Sequence, residues 1–194
     1  MTMSFIPNKY NLIVAADENW CIGNNGGLLD HFAEDMKMFK TITKNKVVIM
    51  GDRTQDSLPK NYLPNRINIV LSKDRQNDGN ISTESPVYYV SDISSIPLYI
   101  RLFNNVQMES HIYPPTFNYM TDGDVFVIGG GMVYRQFLEN DLIDTVYLTK
   151  IHHKYNGDTF IPNLWDLGFK IIDKLIPTAT NENGIQYDIL VLKK

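Results

Sequence analysis

The sequence predicts an α/β fold built on a largely parallel central sheet. Short apolar runs rich in β-branched residues alternate with stretches of helical periodicity. Most of those runs are apolar on consecutive residues, the pattern of strands buried on both faces. Three of them end in glycine, serine or lysine, where ligands of open parallel sheets gather.

In chain order, NLIVAA (11–16), KVVIM (46–50), INIVL (67–71), PVYYV (86–90) and DVFVIGG (124–130) read as strands. Between them, AEDMKMFKTIT (33–43) places Met36, Phe39 and Ile42 at helical spacing, and GMVYRQFLEN (131–140) does so with Val133, Tyr134, Phe137 and Leu138. Both are expected to be crossover helices packed on the sheet. SDISSIPLYIRLFNNV (91–106) reads as a short helix interrupted by Pro97, and MESHIYPPTFNYMTDGD (108–124) as a loop carrying His111, Tyr113, Phe117 and Tyr119. In the tail, TVYLTKI (145–151), FKIIDKLI (169–176) and IQYDILVLKK (185–194) add three strands. The turn signal ENG (182–184) makes the last two an antiparallel hairpin at the sheet edge.

A length of 194 residues suits one domain. Apolar content of 43%, charged content of 21% and a net charge of -4 are ordinary for a soluble globular protein and too little basic to suggest nucleic acid. Cys21 is the single cysteine, so an intramolecular disulfide and a cysteine-built zinc cluster are excluded, and a cytoplasmic location is expected. The N-terminus lacks a signal-peptide pattern, and no segment approaches a membrane-spanning apolar run, so neither export nor a membrane partner is expected.

Three strand ends favour an anion. DVFVI runs into GGG and then a helix, whose unpaired N–H groups and dipole suit a phosphate. The bland alternative is a tight turn that lets helix and strand approach. Gly51 ends a second strand, with a short helix starting at Asp52 or Arg53, and Ser72 and Lys73 stand at the end of a third. Together they imply a large phosphorylated ligand.

Asp35 and Glu34 occupy the first turn of the first helix, where acids complement the dipole. Asp35 lies nearer the apolar stripe, which makes it the candidate for a raised pKa and proton transfer. Arg66 is either a solvated charge or a clamp for an acidic ligand. His152 and His153, adjacent on a strand, point to opposite faces and cannot share one metal, so no metal site is expected.

Taken in order, NLIVAADENWCIGNNGGLL, EDMKMFK, KVVIMGDRTQDSLP, LPNRINIVLS, VFVIGGGMVYRQFL, VYLTKI and GDTFIP resemble dihydrofolate reductase over nearly all of residues 11–162. The resemblance implies a mostly parallel sheet of about eight strands with an antiparallel C-terminal strand, flanked by about four helices. It also implies a single domain over 1–194, with residues 1–10 a short N-terminal extension and about 107–122 an extended loop. The implied activity is NADPH-dependent reduction of 7,8-dihydrofolate to 5,6,7,8-tetrahydrofolate, with hydride to C6 and a proton to N5, serving one-carbon and thymidylate metabolism. Dihydrofolate and antifolates are the implied ligands, and a monomer is expected, with a homodimer as the alternative.

By the same resemblance the catalytic positions are Asp35, supported by Thr149, and Leu28 of the preceding loop. Substrate would meet Ile13, Asp35, Phe39, Leu58, Leu63, Arg66, Ile128, Tyr134 and Thr149, with Arg66 pairing with the glutamate tail. Cofactor would meet Ala15, Ile22, Gly23, Gly51, Asp52, Arg53, Thr54, Leu71, Ser72 and Lys73. Beyond these it would meet Gly129, Gly130, Gly131, Met132, Val133, Tyr134 and Gln136.

The chain departs from the family pattern at three places. Asp30 replaces a large apolar residue and is expected to turn to solvent; facing the cleft, it would instead disturb the ionisation of Asp35. Asp52 stands where a cation would hold cofactor phosphate, leaving Arg53 and Lys73 to compensate and NADH open as an alternative to NADPH. Gln55 replaces an apolar or aromatic residue. These departures keep two other readings in play: a related-fold reductase of another pterin or of a riboflavin-pathway pyrimidine, and a folate-binding protein with weak or no turnover.

Overall fold

A computed structural model describes residues 9–77, 86–110 and 124–194. Residues 1–8 of the expected extension and 111–122 of the expected loop, with His111, Tyr113, Phe117 and Tyr119, lie outside them.

The elements in chain order are β1 (Tyr10–Ala16), β2 (Cys21–Gly23), α1 (Ala33–Thr43), β3 (Val47–Gly51), α2 (Asp52–Ser57), β4 (Ile67–Leu71) and β5 (Val87–Val90). They continue as α3 (Ile96–Ser110), β6 (Val125–Gly129), α4 (Gly131–Glu139), β7 (Ile143–Ile151), β8 (Thr159–Phe160), β9 (Lys170–Thr180) and β10 (Gln186–Lys193). Among the described residues, eight strands form one sheet in the order β5-β4-β3-β6-β1-β7-β10-β9, and β2 pairs with β8. The pairings from β5 through β7 are parallel, and β10 runs antiparallel to both of its neighbours. The mostly parallel sheet, its antiparallel C-terminal strand and its four helices are thus as the sequence led us to expect.

Consecutive apolar residues suit these strands because both sheet faces are covered, and alternate side chains supply each face. Val47 and Ile49 of β3 join a large cluster with Leu12, Val14, Val125, Val127 and the α3 and α4 residues Ile96, Ile100, Val133 and Phe137. Val48 and Met50 point the other way, into a small cluster with Val70, Leu58, Leu63 and Ile128. A separate small cluster on Phe32, Ile151, Tyr187 and Ile189 includes Met38 and Leu29. One face therefore carries a continuous core, while the other carries two patches, one over β5, β4, β3 and β6 and one over β1, β7, β10 and β9.

Three expectations need correction. Pro97 does not interrupt a helix: a 3-10 turn at Ile93–Ser95, capped by the Asp92 side chain, leads into α3, and Pro97 sits in its first turn, where its missing N–H costs no hydrogen bond. The stripe Met36, Phe39 and Ile42 is not the packed face of α1. Met36 is 45% exposed, Phe39 and Ile42 are half-buried, and the helix docks through Met38 and its neighbour Phe32. His152 and His153 lie just past the end of β7; His152 Nε2 stands 3.0 Å from Asp188 on β10, and the His153 ring packs edge-on to Tyr155.

Candidate active site

Strand order brings the three anion-friendly ends together. β4, β3 and β6 are consecutive in the sheet, so Leu71 pairs with Gly51, and Met50 with Gly129. Gly129 has φ 124°, a left-handed value that other residues avoid, and a Cβ there would press on the Tyr134 ring at 3.2 Å. A Cβ on Gly131 would strike Thr159 Cγ2 at 2.8 Å, because β8 passes directly over the start of α4. Gly130 caps α4 without any side-chain hydrogen bond, so among the described residues the N–H groups of its first turn meet no capping side chain. Thr54 of α2 faces this turn, with its Oγ1 3.2 Å from where a Gly130 Cβ would stand.

The other expected cofactor positions sort by exposure. Val133 and Tyr134 are buried, whereas Met132 is 77% exposed and Gln136 lies on the same outer side of α4. Ile22 reaches toward Gly131, and Gly23 packs against the Gly27 carbonyl. Ser72 is buried, and its Oγ accepts the N–H groups of Asp74 and Arg75 at 3.3 and 2.9 Å, shaping the turn that presents Lys73 to solvent.

Arg75, not Arg53 or Lys73, answers Asp52. Its Nε stands 3.4 Å from Asp52 Oδ1, an ion pair without a hydrogen bond. Its Nη2 donates to both oxygens of Asp56 at 2.7 and 2.9 Å, and its Nη1 donates to Gln55 Oε1. Gln55 is buried and uses its amide to reach Asn61 O and Tyr89 Oη, both at 3.0 Å, so this polar substitution is fully satisfied. Sequence reasoning missed Arg75 because nothing in its spacing from β4 shows that it turns back onto α2.

Asp35 stands on the first turn of α1 at a pocket lined by Ala15, Ile22, Leu28, Leu29, Asp30, Phe32, Asp35, Met36 and Ile151. Thr149, fully buried on β7 and in register with Ala15, donates its hydroxyl to Asp35 Oδ1 at 2.5 Å. Among the described residues Asp35 Oδ2 has no protein partner. Burial raises the proton affinity of this carboxyl above the ordinary aspartate value, and the Thr149 hydrogen bond offsets only part of that. Tyr134 donates to Ile13 O at 2.6 Å, and its hydroxyl is held firmly protonated by burial and then by the Asp35 charge. Leu28, 73% exposed, stands at the pocket mouth.

Glu34 does more than complement the helix end. It accepts the Tyr187 hydroxyl, which lowers its own pKa, while burial and the Glu34 contact push Tyr187 up to about 12. Asp30 lines the pocket yet is tied away from it: its carboxylate accepts from Tyr155, Asn181 and Asn183. It therefore neither turns to open solvent, as expected, nor pairs with Asp35.

At the other end of α1, Arg66 is 5% exposed. Its Nε donates to Thr43 Oγ1 at 2.9 Å, and its Nη atoms donate to Pro64 O at 2.6 Å and Lys40 O at 3.3 Å. Its guanidinium carbon lies 5.8 Å from the Phe39 ring centre. Burial lowers its pKa, and no carboxylate of the described residues pairs with it. A buried cation satisfied only by neutral groups retains its attraction for an anion.

Three glycine- or serine-bearing strand ends stand side by side in a mostly parallel sheet, with a half-buried carboxyl on a neighbouring helix. They place the chain among α/β proteins of the kind that gather ligands at the carboxyl edge of the sheet. The sequence profile of the family described as Dihydrofolate reductase matches residues 9–194. The dihydrofolate reductase of Schistosoma mansoni is 30% identical over 195 residues, covering 94% of this chain and 95% of that protein. The dihydrofolate reductase of Bacillus subtilis (strain 168) is 30% identical over 186 residues, covering 95% and 94%. The bifunctional dihydrofolate reductase-thymidylate synthase of Daucus carota is 35% identical over 188 residues, which cover 92% of this chain. The chain spans about a third of the length of such bifunctional relatives. The chain belongs to the dihydrofolate reductase family, whose members are oxidoreductases using a nicotinamide cofactor.

Proposed function

We propose that this chain reduces 7,8-dihydrofolate to 5,6,7,8-tetrahydrofolate with NADPH, in the cytoplasm. The observation that carries this reading is the half-buried Asp35, which lines the pocket and is held through one oxygen by Thr149, with the other oxygen unpartnered among the described residues. Two oxygens in a fixed plane suit the adjacent amino and ring N–H donors of a pteridine. A carboxyl of raised proton affinity holds or passes a proton more readily at neutral pH than an exposed one, which suits delivery toward N5. Leu28, Leu29, Phe32 and Met36 supply the apolar walls that limit water. On this reading Ile13 and Ile128 would meet the pteridine amino group, Phe39, Leu58 and Leu63 would line the pocket along the substrate, and Arg66 would pair with its anionic tail.

The residues at the sheet edge fit a dinucleotide. A side chain at Gly129 or Gly131 would fill the turn, and the uncapped start of α4 offers N–H donors suited to a pyrophosphate. When bound, the nicotinamide supplies the hydride for C6. We assign NADPH rather than NADH because Arg75 offsets the Asp52 charge while Lys73 and Arg53 stay exposed, Lys73 outside any ion pair among the described residues and Arg53 felt only at a distance by Asp158. Arg75→Ala should uncover Asp52 and weaken NADPH binding about threefold to tenfold while leaving NADH binding nearly unchanged, as read by fluorescence titration. Equal losses for both cofactors would favour the NADH alternative.

The central test is direct. Purified protein should oxidise NADPH only when dihydrofolate is present, and Asp35→Asn should lower kcat by at least about 100-fold while retaining cofactor binding. Full activity in Asp35→Asn, or tight folate binding without turnover in the wild type, would overturn the assignment.

A further inference from the structure

Asp30 takes hydrogen bonds from three separate parts of the chain. Its Oδ2 accepts from the Tyr155 hydroxyl at 2.8 Å and the Asn181 amide at 3.0 Å. Its Oδ1 accepts the backbone N–H of His31 at 2.8 Å and the Asn183 amide at 3.0 Å, and that amide also lies 3.2 Å from Oδ2. Tyr155 belongs to the connection between β7 and β8, and Asn181 and Asn183 to the β9–β10 turn.

The donors are themselves held in place. Asp17, fully buried, accepts the Tyr155 N–H at 2.8 Å, and Asn181 Oδ1 accepts the N–H groups of Asn183 and Ile185 at 3.0 and 2.9 Å. Every group aimed at Asp30 is an N–H or O–H, so the site asks for an acceptor with several lone pairs. A carboxylate offers about four, whereas an amide of the same shape offers two and adds donors of its own.

Asp30 closes one end of an arch whose other end is also pinned, since the Asn25 N–H donates to Asp158 Oδ2 at 2.9 Å. Beside the Asn25 anchor, Asn24 and Gly27 exchange backbone hydrogen bonds at 3.1 and 2.9 Å, which closes the turn at that end of the arch. Leu28 and Leu29 follow, and both line the pocket that holds Asp35. We propose that Asp30 is a positioning residue: as an ionised anchor it ties the arch of residues 24–32 to Tyr155 and the β9–β10 turn, and so fixes the Leu28–Leu29 wall beside Asp35. The kinetic part of this inference rests on the dihydrofolate reductase reading; the local order of the arch does not.

The experiment is amide hydrogen exchange on the ligand-free protein together with steady-state kinetics for wild type, Asp30→Asn, Asn183→Ala and the double variant. Loss of hydrogen bonds to a charged group should cut exchange protection across residues 25–31 by roughly tenfold or more while leaving β3 unchanged. KM for dihydrofolate should rise by a larger factor than kcat falls, which general destabilisation would not produce. The double variant should be little worse than Asp30→Asn alone, because both changes break one network. Wild-type protection of the arch in Asp30→Asn, or fully additive effects, would overturn the proposal. Should Asp30→Asn fail to fold, Tyr155→Phe and Asn183→Ala, each removing one donor, read the same local exchange. A wild-type protein that does not reduce dihydrofolate would sink the functional reading instead, with the exchange data still deciding the role of Asp30.

Discussion

Helix α4 buries Val133, Tyr134, Phe137 and Leu138, whereas α1 buries Thr43 alone and leaves Met36 45% exposed. Both follow a strand, both have apolar residues at helical spacing, and both cross one face of the same sheet. The difference lies in what each covers. α4 is part of a continuous core, while α1 touches one of two separated patches on the opposite face and leaves its apolar stripe outside the buried clusters, with Met36 at the pocket and Phe39 beside Arg66. A helix that stabilises the fold and a helix that walls a cleft therefore share one sequence pattern; burial, not periodicity, tells them apart.

Truncation should separate the two helices most sharply. Phe137→Ala, at a fully buried position packed edge-on to Tyr10, should cost about 3–5 kcal/mol of stability by denaturant unfolding. Phe39→Ala on α1 should cost under about 1 kcal/mol and instead raise KM for dihydrofolate. If Phe39→Ala destabilised as much as Phe137→Ala, α1 would be a core helix after all.

A smaller effect follows from Asp35. Its pKa in the folded chain is raised by burial, so its contribution to stability is present below the unfolded-state value and is lost as pH rises through the folded one. Ionised Asp35 thus costs stability at neutral pH, and Asp35→Asn should be more stable there by up to about 1 kcal/mol, since solvent screens a half-buried group. The gain should vanish as the pH is lowered below the ordinary aspartate range. A destabilised Asp35→Asn at neutral pH would show that the carboxylate is held mainly by favourable contacts.

The smallest effect concerns Thr149. Its hydrogen bond favours the ionised form of Asp35, so Thr149→Val should move the acidic limb of the pH profile of kcat/KM upward. An unchanged or downward-shifted limb would mean that another group governs that limb.

The strands were readable because burial on both faces leaves runs such as VVIM and INIV with no polar residue, or one, to break them. Asn68 is that one, and it is buried because its side chain bonds Leu63, Arg66 and Pro86 backbone groups. The position of Asp35 at the helix start was readable as well, from the dipole and the neighbouring stripe. Tyr155, Asn181 and Asn183 were not, since they meet Asp30 from more than 100 positions away and carry no local pattern. Arg75 was hidden for a related reason: a charged residue in a turn reads as solvated until the turn is seen to fold back on α2.

Helix α1 also acts as a ruler. Asp35 sits on its first turn, and Arg66 grips its far end through Lys40 O and Thr43 Oγ1. At about 1.5 Å per residue the two charged marks stand roughly 10 Å apart along the axis. Each opposes the partial charge of the helix end it occupies, negative at the positive end and positive at the negative end. If the proposed substrate lies along this helix, polarity would sort it before shape does: with donors at one tip and an anion at the other it would fit in one direction, and reversed it would meet repulsion at both.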